Sequence, residues 1–210
     1  MPAPRPERWT ALWARIGASG DPQSVWNDLE RRYREPHRAY HNFGHIGHCL
    51  VEFDGVRTRA TAPDAVELAI WFHDAVYDTH AGDNEEQSAL LAQRTLAEAG
   101  VPSDLIGQVE ALVLATKHQT PQSSADNALL VDVDLAILGQ PLERYAAFER
   151  EIRGEYSWVA PADFVAGRGA ILRRCLERPS VYSTDMFRGR YERTARANLA
   201  WAIGELSNIR

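Results

Sequence analysis

The sequence predicts an all-α protein of about eight to ten helices. Along most of the chain, apolar residues recur at the three- and four-residue spacing of helices that bury one face. Proline, glycine and short polar stretches interrupt this pattern at intervals typical of helix ends. Nowhere does an Asn-Gly or Asp-Gly pair join two alternating segments, as a β-hairpin would require. The spacing, the interruptions and the missing hairpin signal together favour helices alone.

The first predicted helices have clear apolar faces and clear ends. Apolar residues at helical spacing cover residues 9–16, and Gly17 ends that pattern. Asp21-Pro22 is typical of a helix start, since proline fits the first turn, and this helix is expected to reach Tyr33. A third helix is expected from about residue 42 to 53.

The same signals continue to the end of the chain. Further helical or apolar segments are predicted over residues 65–72, 84–99, 103–118, 129–138, 142–156, 161–176 and 186–206. The linkers are short and no internal repeat or composition shift marks a boundary. We therefore expect one domain over residues 1–210, with a core at about 20–140 and C-terminal helices at about 141–206.

Charge and composition narrow the classes of partner. The formal net charge is -6, which disfavours duplex nucleic acid as a partner but leaves a small phosphorylated ligand open. No apolar run approaches the 18 residues of a membrane span, so no membrane partner is expected. Cys49 and Cys175 lie far apart without a Cys-x-x-Cys pattern, which predicts neither a disulfide framework nor a zinc knuckle. Together with an N-terminus that lacks an apolar signal-peptide core, this favours the cytoplasm.

A histidine and a carboxylate stand side by side where an apolar segment ends. The run from Leu68 to Phe72 leads directly into His73-Asp74. Burying such a pair is costly unless something compensates it, and a divalent metal ion would, because imidazole nitrogen and carboxylate oxygen are both metal ligands. An ordinary hydrogen-bonded pair is the alternative at this point.

Other parts of the chain offer further ligands. All seven histidines lie between His37 and His118. His45 can supply one ligand, and a carboxylate from the buried-looking run 129–138 can supply another. Two aspartates in that run, Asp132 and Asp134, point roughly 200° apart on a helix, so only one of them can readily face a given site.

These residues stand in motifs that carry a resemblance to a known family. The motifs are Tyr40-His41-Asn42-Phe43-Gly44-His45-Ile46, Trp71-Phe72-His73-Asp74-Ala75-Val76-Tyr77-Asp78, Asp83-Asn84-Glu85-Glu86-Gln87-Ser88-Ala89 and Asp132-Val133-Asp134-Leu135-Ala136-Ile137-Leu138-Gly139. Their order and context resemble the HD superfamily of metal-dependent phosphohydrolases, and more closely a branch of predicted phosphohydrolases within it. The resemblance covers about residues 10–206 and implies an HD-like helical bundle with a helical C-terminal extension.

The resemblance also implies roles for individual residues. Its metal ligands fall on His45, His73, Asp74 and Asp134, and Asp74 would in addition orient the attacking water. The segment around His41 is similar to the cyclic-nucleotide phosphodiesterases, where the equivalent histidine donates a proton to the leaving oxygen. The implied activity is hydrolysis of a small phosphoester, a nucleotide or a related phosphorylated metabolite.

Two positions bear on a second metal ion, and two rival functions follow from the same family. His118 could contact a second ion or the substrate, or protonate the leaving oxygen in place of His41. Glu85 could ligate a second ion or orient water where relatives carry a further histidine. The rivals are a di-iron oxygenase of the superfamily and a non-catalytic nucleotide sensor. Mixed nitrogen and oxygen ligation leaves the metal open among Mn, Fe, Co, Ni, Zn and Mg.

Overall fold

Helices are the dominant regular structure of residues 3–117 and 124–208, which the computed structural model describes, and within these residues no strand occurs. The all-α prediction is confirmed. The ten α-helices of the described residues are α1 (Pro6–Arg15), α2 (Pro22–Tyr33), α3 (Phe43–Asp54), α4 (Pro63–Phe72), α5 (Asn84–Glu98), α6 (Ser103–Ala115), α7 (Ala125–Asp134), α8 (Leu142–Glu155), α9 (Pro161–Glu177) and α10 (Asp185–Asn208). Among the described residues, no helix combines the length and apolarity that crossing a membrane requires.

Helix α7 differs from its predicted extent of 129–138. It begins earlier because the Ser124 hydroxyl accepts a hydrogen bond from the Asn127 N–H at 3.1 Å, which is how a serine caps a helix start. The polar residues that follow Ser124 are helical, but they lack the apolar spacing from which the rest of α7 was predicted. At its other end, the chain tightens after Asp134 into a 3₁₀ helix, Leu135–Gly139.

Internal contacts divide the chain into two compact units. The first unit ends at Val133 and the second begins at Asp134. The division falls inside the last turn of α7, so Asp134 is the final residue of a helix whose other residues all belong to the first unit. The expectation of one domain with a core near residues 20–140 stays a prediction.

Helix α4 is the centre of the first unit. Every residue from Ala65 to Phe72 is buried, and the helix contacts α1, α3, α5 and α6. A helix that is apolar on nearly all sides is stable only when neighbours surround it. Trp9 and Trp26 each meet Trp71 edge-on, with ring centroids 5.6 and 5.7 Å apart. The residues that follow Phe72 are therefore held at the end of the most enclosed helix of this unit.

One carboxylate interrupts the apolar surface of α4. Glu67 is 2% exposed and forms ion pairs with Arg8, Arg15 and Arg57. A buried carboxylate is tolerated only with such partners. The charges of this cluster pair with one another, and these ion pairs hold α1 and the 3₁₀ helix at residues 57–59 against α4.

The second unit is built around the long helix α10. This helix contacts the 3₁₀ helix Leu135–Gly139, α8 and α9. The Asn198 side chain donates hydrogen bonds of 2.8 Å to the backbone carbonyls of Leu138 and Gln140. At Gly139, an added Cβ would lie 2.5 Å from the Cβ of Tyr191. The close approach of the two helices therefore depends on the absence of a side chain at Gly139.

This contact gives a prediction for stability. Gly139→Ala is expected to lower the free energy of unfolding by about 1–3 kcal/mol, because the backbone or Tyr191 must move to admit the methyl group. Gly189→Ala is the matched control, since its Cβ would meet nothing within 4 Å and alanine favours a helix over glycine. Urea unfolding followed by circular dichroism measures both. Equal midpoints for the two variants would contradict the predicted close contact.

Candidate metal centre

Two histidines come together from the start of α3 and the end of α4. The Asn42 side chain caps α3 by accepting a hydrogen bond from the Gly44 N–H at 2.7 Å, which places His45 in the first turn. His73 follows the last residue of α4. The two side chains are 1% and 2% exposed, and their Nε2 atoms are 3.0 Å apart.

A backbone contact fixes which nitrogen of His73 is available. Its Nδ1 lies 3.0 Å from the carbonyl oxygen of Ile70, one turn earlier on α4. A carbonyl only accepts, so Nδ1 carries a proton, and in the neutral ring Nε2 then has a free lone pair. Holding a histidine by one nitrogen so that the other faces a metal ion is a common arrangement in metalloproteins.

Asp74 completes a group of three polar atoms that can each ligate a metal ion. Its Oδ2 is 3.1 Å from Nε2 of His73 and 3.3 Å from Nε2 of His45. Burial by itself would raise the pKa of Asp74, but the His73, His41 and His45 imidazoles outweigh that effect and hold the pKa well below its usual range. Asp74 is therefore a carboxylate at neutral pH.

The spacing of these three atoms matches that of ligands on one ion. Two atoms each about 2.1 Å from an ion are about 3.0 Å apart at an octahedral angle and about 3.4 Å apart at a tetrahedral angle. The observed separations of 3.0, 3.1 and 3.3 Å fall within that range. Without a metal ion, a proton must lie between these atoms to offset the repulsion of their lone pairs. A divalent ion can bind all three atoms at once. The residues present therefore fit a metal ion.

Two further residues bring possible metal-ligand atoms close to the same two histidines. Ligand atoms of His45, Cys49, His73 and Asp134 all lie within 4.8 Å of one another, so this group could hold a metal ion. Asp74 is not a member of this set of four, although it contacts both imidazoles. Asp134, not the fully buried Asp132, is the α7 carboxylate in the set.

The structure therefore brings together most of the residues that the resemblance implied as ligands. His45, His73 and Asp134 share one group, and Asp74 lies against the two histidines. Their ligation of a metal ion stays a prediction. Cys49 was not predicted, although its position one turn after His45 was a usable signal, because residues four apart share a helix face.

His41 lies beside this group. Its ring stacks on Tyr77 with centroids 4.2 Å apart, and its charge is close enough to lower the pKa of Asp74. Tyr77 has a second histidine contact, because its carbonyl oxygen is 2.8 Å from Nε2 of His37. His41 is half-buried, so it is held in place yet still reaches solvent.

Glu85, one of the two positions predicted to bear on a second metal ion, is not part of this group. Glu85 is half-buried in the first turn of α5 and is not in the donor set found among the described residues. The Lys117 ammonium near it donates to the Glu86 carboxylate and to the carbonyl of Gly82. His118 lies outside the residues that the structure describes.

Arg38 links the segments that carry the site, and sequence analysis did not identify it. Its guanidinium, which is 0% exposed, donates to the backbone carbonyls of His41 at 3.1 Å, Asp74 at 2.6 Å and Ala75 at 3.2 Å. A further bond of 2.9 Å goes to the Glu35 carboxylate. The segment before α3 is thereby fixed to the segment after α4. Arg38 is one of many arginines in a stretch without periodicity, so no pattern distinguished it.

Removing these bonds should weaken the fold around the site. Arg38→Ala is expected to lower the free energy of unfolding by about 2–4 kcal/mol, because it leaves three backbone carbonyls without their donor. Arg34→Ala is the control: it removes an exposed pair with Glu30 and should cost less than about 1 kcal/mol. Urea unfolding of both variants is the measurement. Similar losses for the two would show that the Arg38 bonds contribute little.

No protein-family model, curated protein or solved structure matches this chain. The likeness to the HD superfamily therefore stays a prediction that rests on the sequence motifs.

Proposed function

We propose that this protein is a metal-dependent phosphohydrolase acting on a small phosphoester, a nucleotide or a related phosphorylated metabolite. The observation that carries the proposal is the convergence of His45 Nε2, His73 Nε2 and Asp74 Oδ2, with no two of these atoms more than 3.3 Å apart. The order of these residues along the chain, followed by Asp134, is the order that the HD superfamily uses.

The ligands divide into buried and accessible members. His45, His73, Asp74 and Asp134 would hold the ion, which, when bound, acidifies a water molecule and polarises the phosphoryl group. The two imidazoles are at most 2% exposed, whereas the Asp74 side chain is 18% exposed. Asp74 is therefore the most solvent-accessible of these three side chains. A carboxylate oxygen there can accept a hydrogen bond from the attacking water and orient it.

The proton for the leaving oxygen would come from His41. A histidine titrates near neutral pH and can donate and regain a proton within each catalytic cycle. Stacking on Tyr77 holds the ring, and its imidazole is close enough to Asp74 to lower the pKa of that carboxyl. This assignment needs no proton from His118 or Glu85.

The charge of the chain supports a small substrate. A net charge of -6 repels extended polyanions such as duplex nucleic acid, because the unfavourable field acts over their whole length. A single phosphoester meets only the local charge, which a divalent ion would make positive. The proposal therefore specifies a metabolite-sized substrate.

Metal content and turnover test the proposal together. The protein is purified without chelator, its metals are measured by elemental analysis, and a panel of phosphomonoesters and phosphodiesters is assayed with the metal found. About one divalent ion per chain and hydrolysis of at least one ester are expected, with loss of hydrolysis after chelation and recovery on adding the ion back. Two irons per chain without hydrolysis would support the di-iron oxygenase instead. No metal, and no uptake from excess Mn²⁺ or Ni²⁺, would support the sensor.

A further inference from the structure

A single nitrogen atom of Arg38 joins the backbone of His41 to that of Asp74. The Arg38 Nη1 donates to the His41 carbonyl at 3.1 Å and to the Asp74 carbonyl at 2.6 Å. These carbonyls belong to the proposed proton donor and to the proposed ligand that orients water. Because Nη1 carries two hydrogens in the plane of a rigid group, one for each carbonyl, that plane sets the separation of the two backbone segments.

The guanidinium that makes these bonds is itself held in place. Its Cζ lies 5.2 Å from the centre of the Tyr33 ring and 5.4 Å from the centre of the Tyr77 ring. Its Nε donates to the Glu35 carboxylate at 2.9 Å, and its Nη2 donates to the Ala75 carbonyl at 3.2 Å. A buried cation with these partners cannot change rotamer without leaving hydrogen bonds unmade, so its position is fixed.

Tyr77 connects the same guanidinium to the His41 imidazole. The Tyr77 ring stacks on the His41 ring with centroids 4.2 Å apart, and the Arg38 cation lies close to the same tyrosine. Arg38 therefore contacts His41 in two ways, directly at the backbone carbonyl and through Tyr77 at the ring. The held imidazole is close enough to Asp74 to lower the pKa of that carboxyl.

We infer that Arg38 is a positioning residue for the reaction, which fixes the His41 imidazole relative to the Asp74 carboxylate. The inference rests on the proposed function. The hydrogen bonds of Arg38 go to backbone carbonyls and to Glu35, so it acts through the residues that it holds. A displacement of about 1 Å in a catalytic group can cost roughly a hundredfold in rate. Loss of the Arg38 bonds should therefore lower kcat and leave KM little changed.

Arg38→Lys tests this role because it keeps the positive charge and removes the planar fork. With the variant loaded to the wild-type metal content, kcat for an alkyl phosphoester should fall by about 10–100-fold. Hydrolysis of a p-nitrophenyl phosphoester, which needs no proton donor, should slow far less. Arg34→Lys is the matched control, since Arg34 forms an exposed pair with Glu30. This control should leave both rates unchanged.

A double-mutant cycle shows whether Arg38 acts through His41. If it does, Arg38→Lys combined with His41→Gln should hydrolyse the alkyl ester no more slowly than His41→Gln alone, because the second change removes nothing further. Losses that multiply in the double variant would mean that the two residues act independently. That result would overturn the inference.

Hydrogen exchange measures the same connection without turnover. In the metal-free protein, Arg38→Lys should speed amide exchange over residues 37–44 and 73–77 and leave α10 unchanged. Glu35→Gln, which keeps Arg38 and weakens only its ion pair, should change exchange and kcat in the same direction by a smaller factor; it serves as the second variant if Arg38→Lys does not fold.

The outcomes separate this role from the proposed function. Unchanged exchange in both segments, or an equal loss of kcat on the two esters, would overturn the role of Arg38 and leave the phosphohydrolase standing. If the wild-type protein hydrolysed no ester of the panel, the proposed function would fail and the role of Arg38 with it.

Discussion

Replacing His73 with alanine is expected to abolish metal binding and, with it, phosphoester hydrolysis. The Nδ1 atom of His73 is held by a backbone carbonyl, that of Ile70, which orients the ring toward the site. Losing an outer partner of a ligand alone costs roughly 10–100-fold in metal affinity, so losing the ligand itself should cost at least about 100-fold. Titration calorimetry with Zn²⁺ and Mn²⁺ measures the affinity, and elemental analysis measures the metal retained on purification.

His80→Ala is the matched control for this prediction. It removes the same side chain from an exposed position shortly after the His73-Asp74 pair. Metal content and hydrolysis should stay at wild-type levels in His80→Ala, and both variants should show helical circular dichroism. A folded His73→Ala protein that keeps its full metal content would show that the convergence of His45, His73 and Asp74 is held together by a proton and not by a metal ion.

The sequence predicted most helices well because a helix's apolar spacing is a local property. The run from Leu68 to Phe72 identified α4 as a buried helix, and its abrupt end at His73-Asp74 identified the first two site residues. Helix α7 was displaced in the prediction because its start depends on the cap at Ser124, followed by polar residues without apolar spacing. Periodicity reports the buried face of a helix and says little about where a polar end begins.

The assembly of the site depended on different information. Periodicity cannot show that α3, α4 and α7 bring His45, His73 and Asp134 together, and that expectation came from the family resemblance. Cys49 was overlooked because its one signal, a position one turn after His45, is also typical of a core residue on a buried helix face. Arg38 was overlooked because its partners are backbone carbonyls at His41, Asp74 and Ala75, and a sequence does not show where carbonyls point.

A second large effect is expected at His41, and it should depend on the leaving group. In His41→Gln, hydrolysis of an alkyl phosphoester should slow by about 10²–10⁴-fold, because an alkoxide is a poor leaving group without a proton donor. Hydrolysis of a p-nitrophenyl phosphoester should slow far less, since p-nitrophenolate leaves as a stable anion. The measurement is kcat for both esters in the wild-type and variant proteins, loaded with the same metal to the same content.

His37→Gln separates proton donation from packing. His37 contacts the same tyrosine as His41, through the carbonyl of Tyr77, but its side chain is exposed. If His41 only supported Tyr77, both variants would slow the two esters by similar factors. If His41 donates the proton, His41→Gln alone discriminates between the leaving groups. An equal loss on both esters in His41→Gln, at unchanged metal content, would remove His41 from proton transfer while leaving the metal ligands in place.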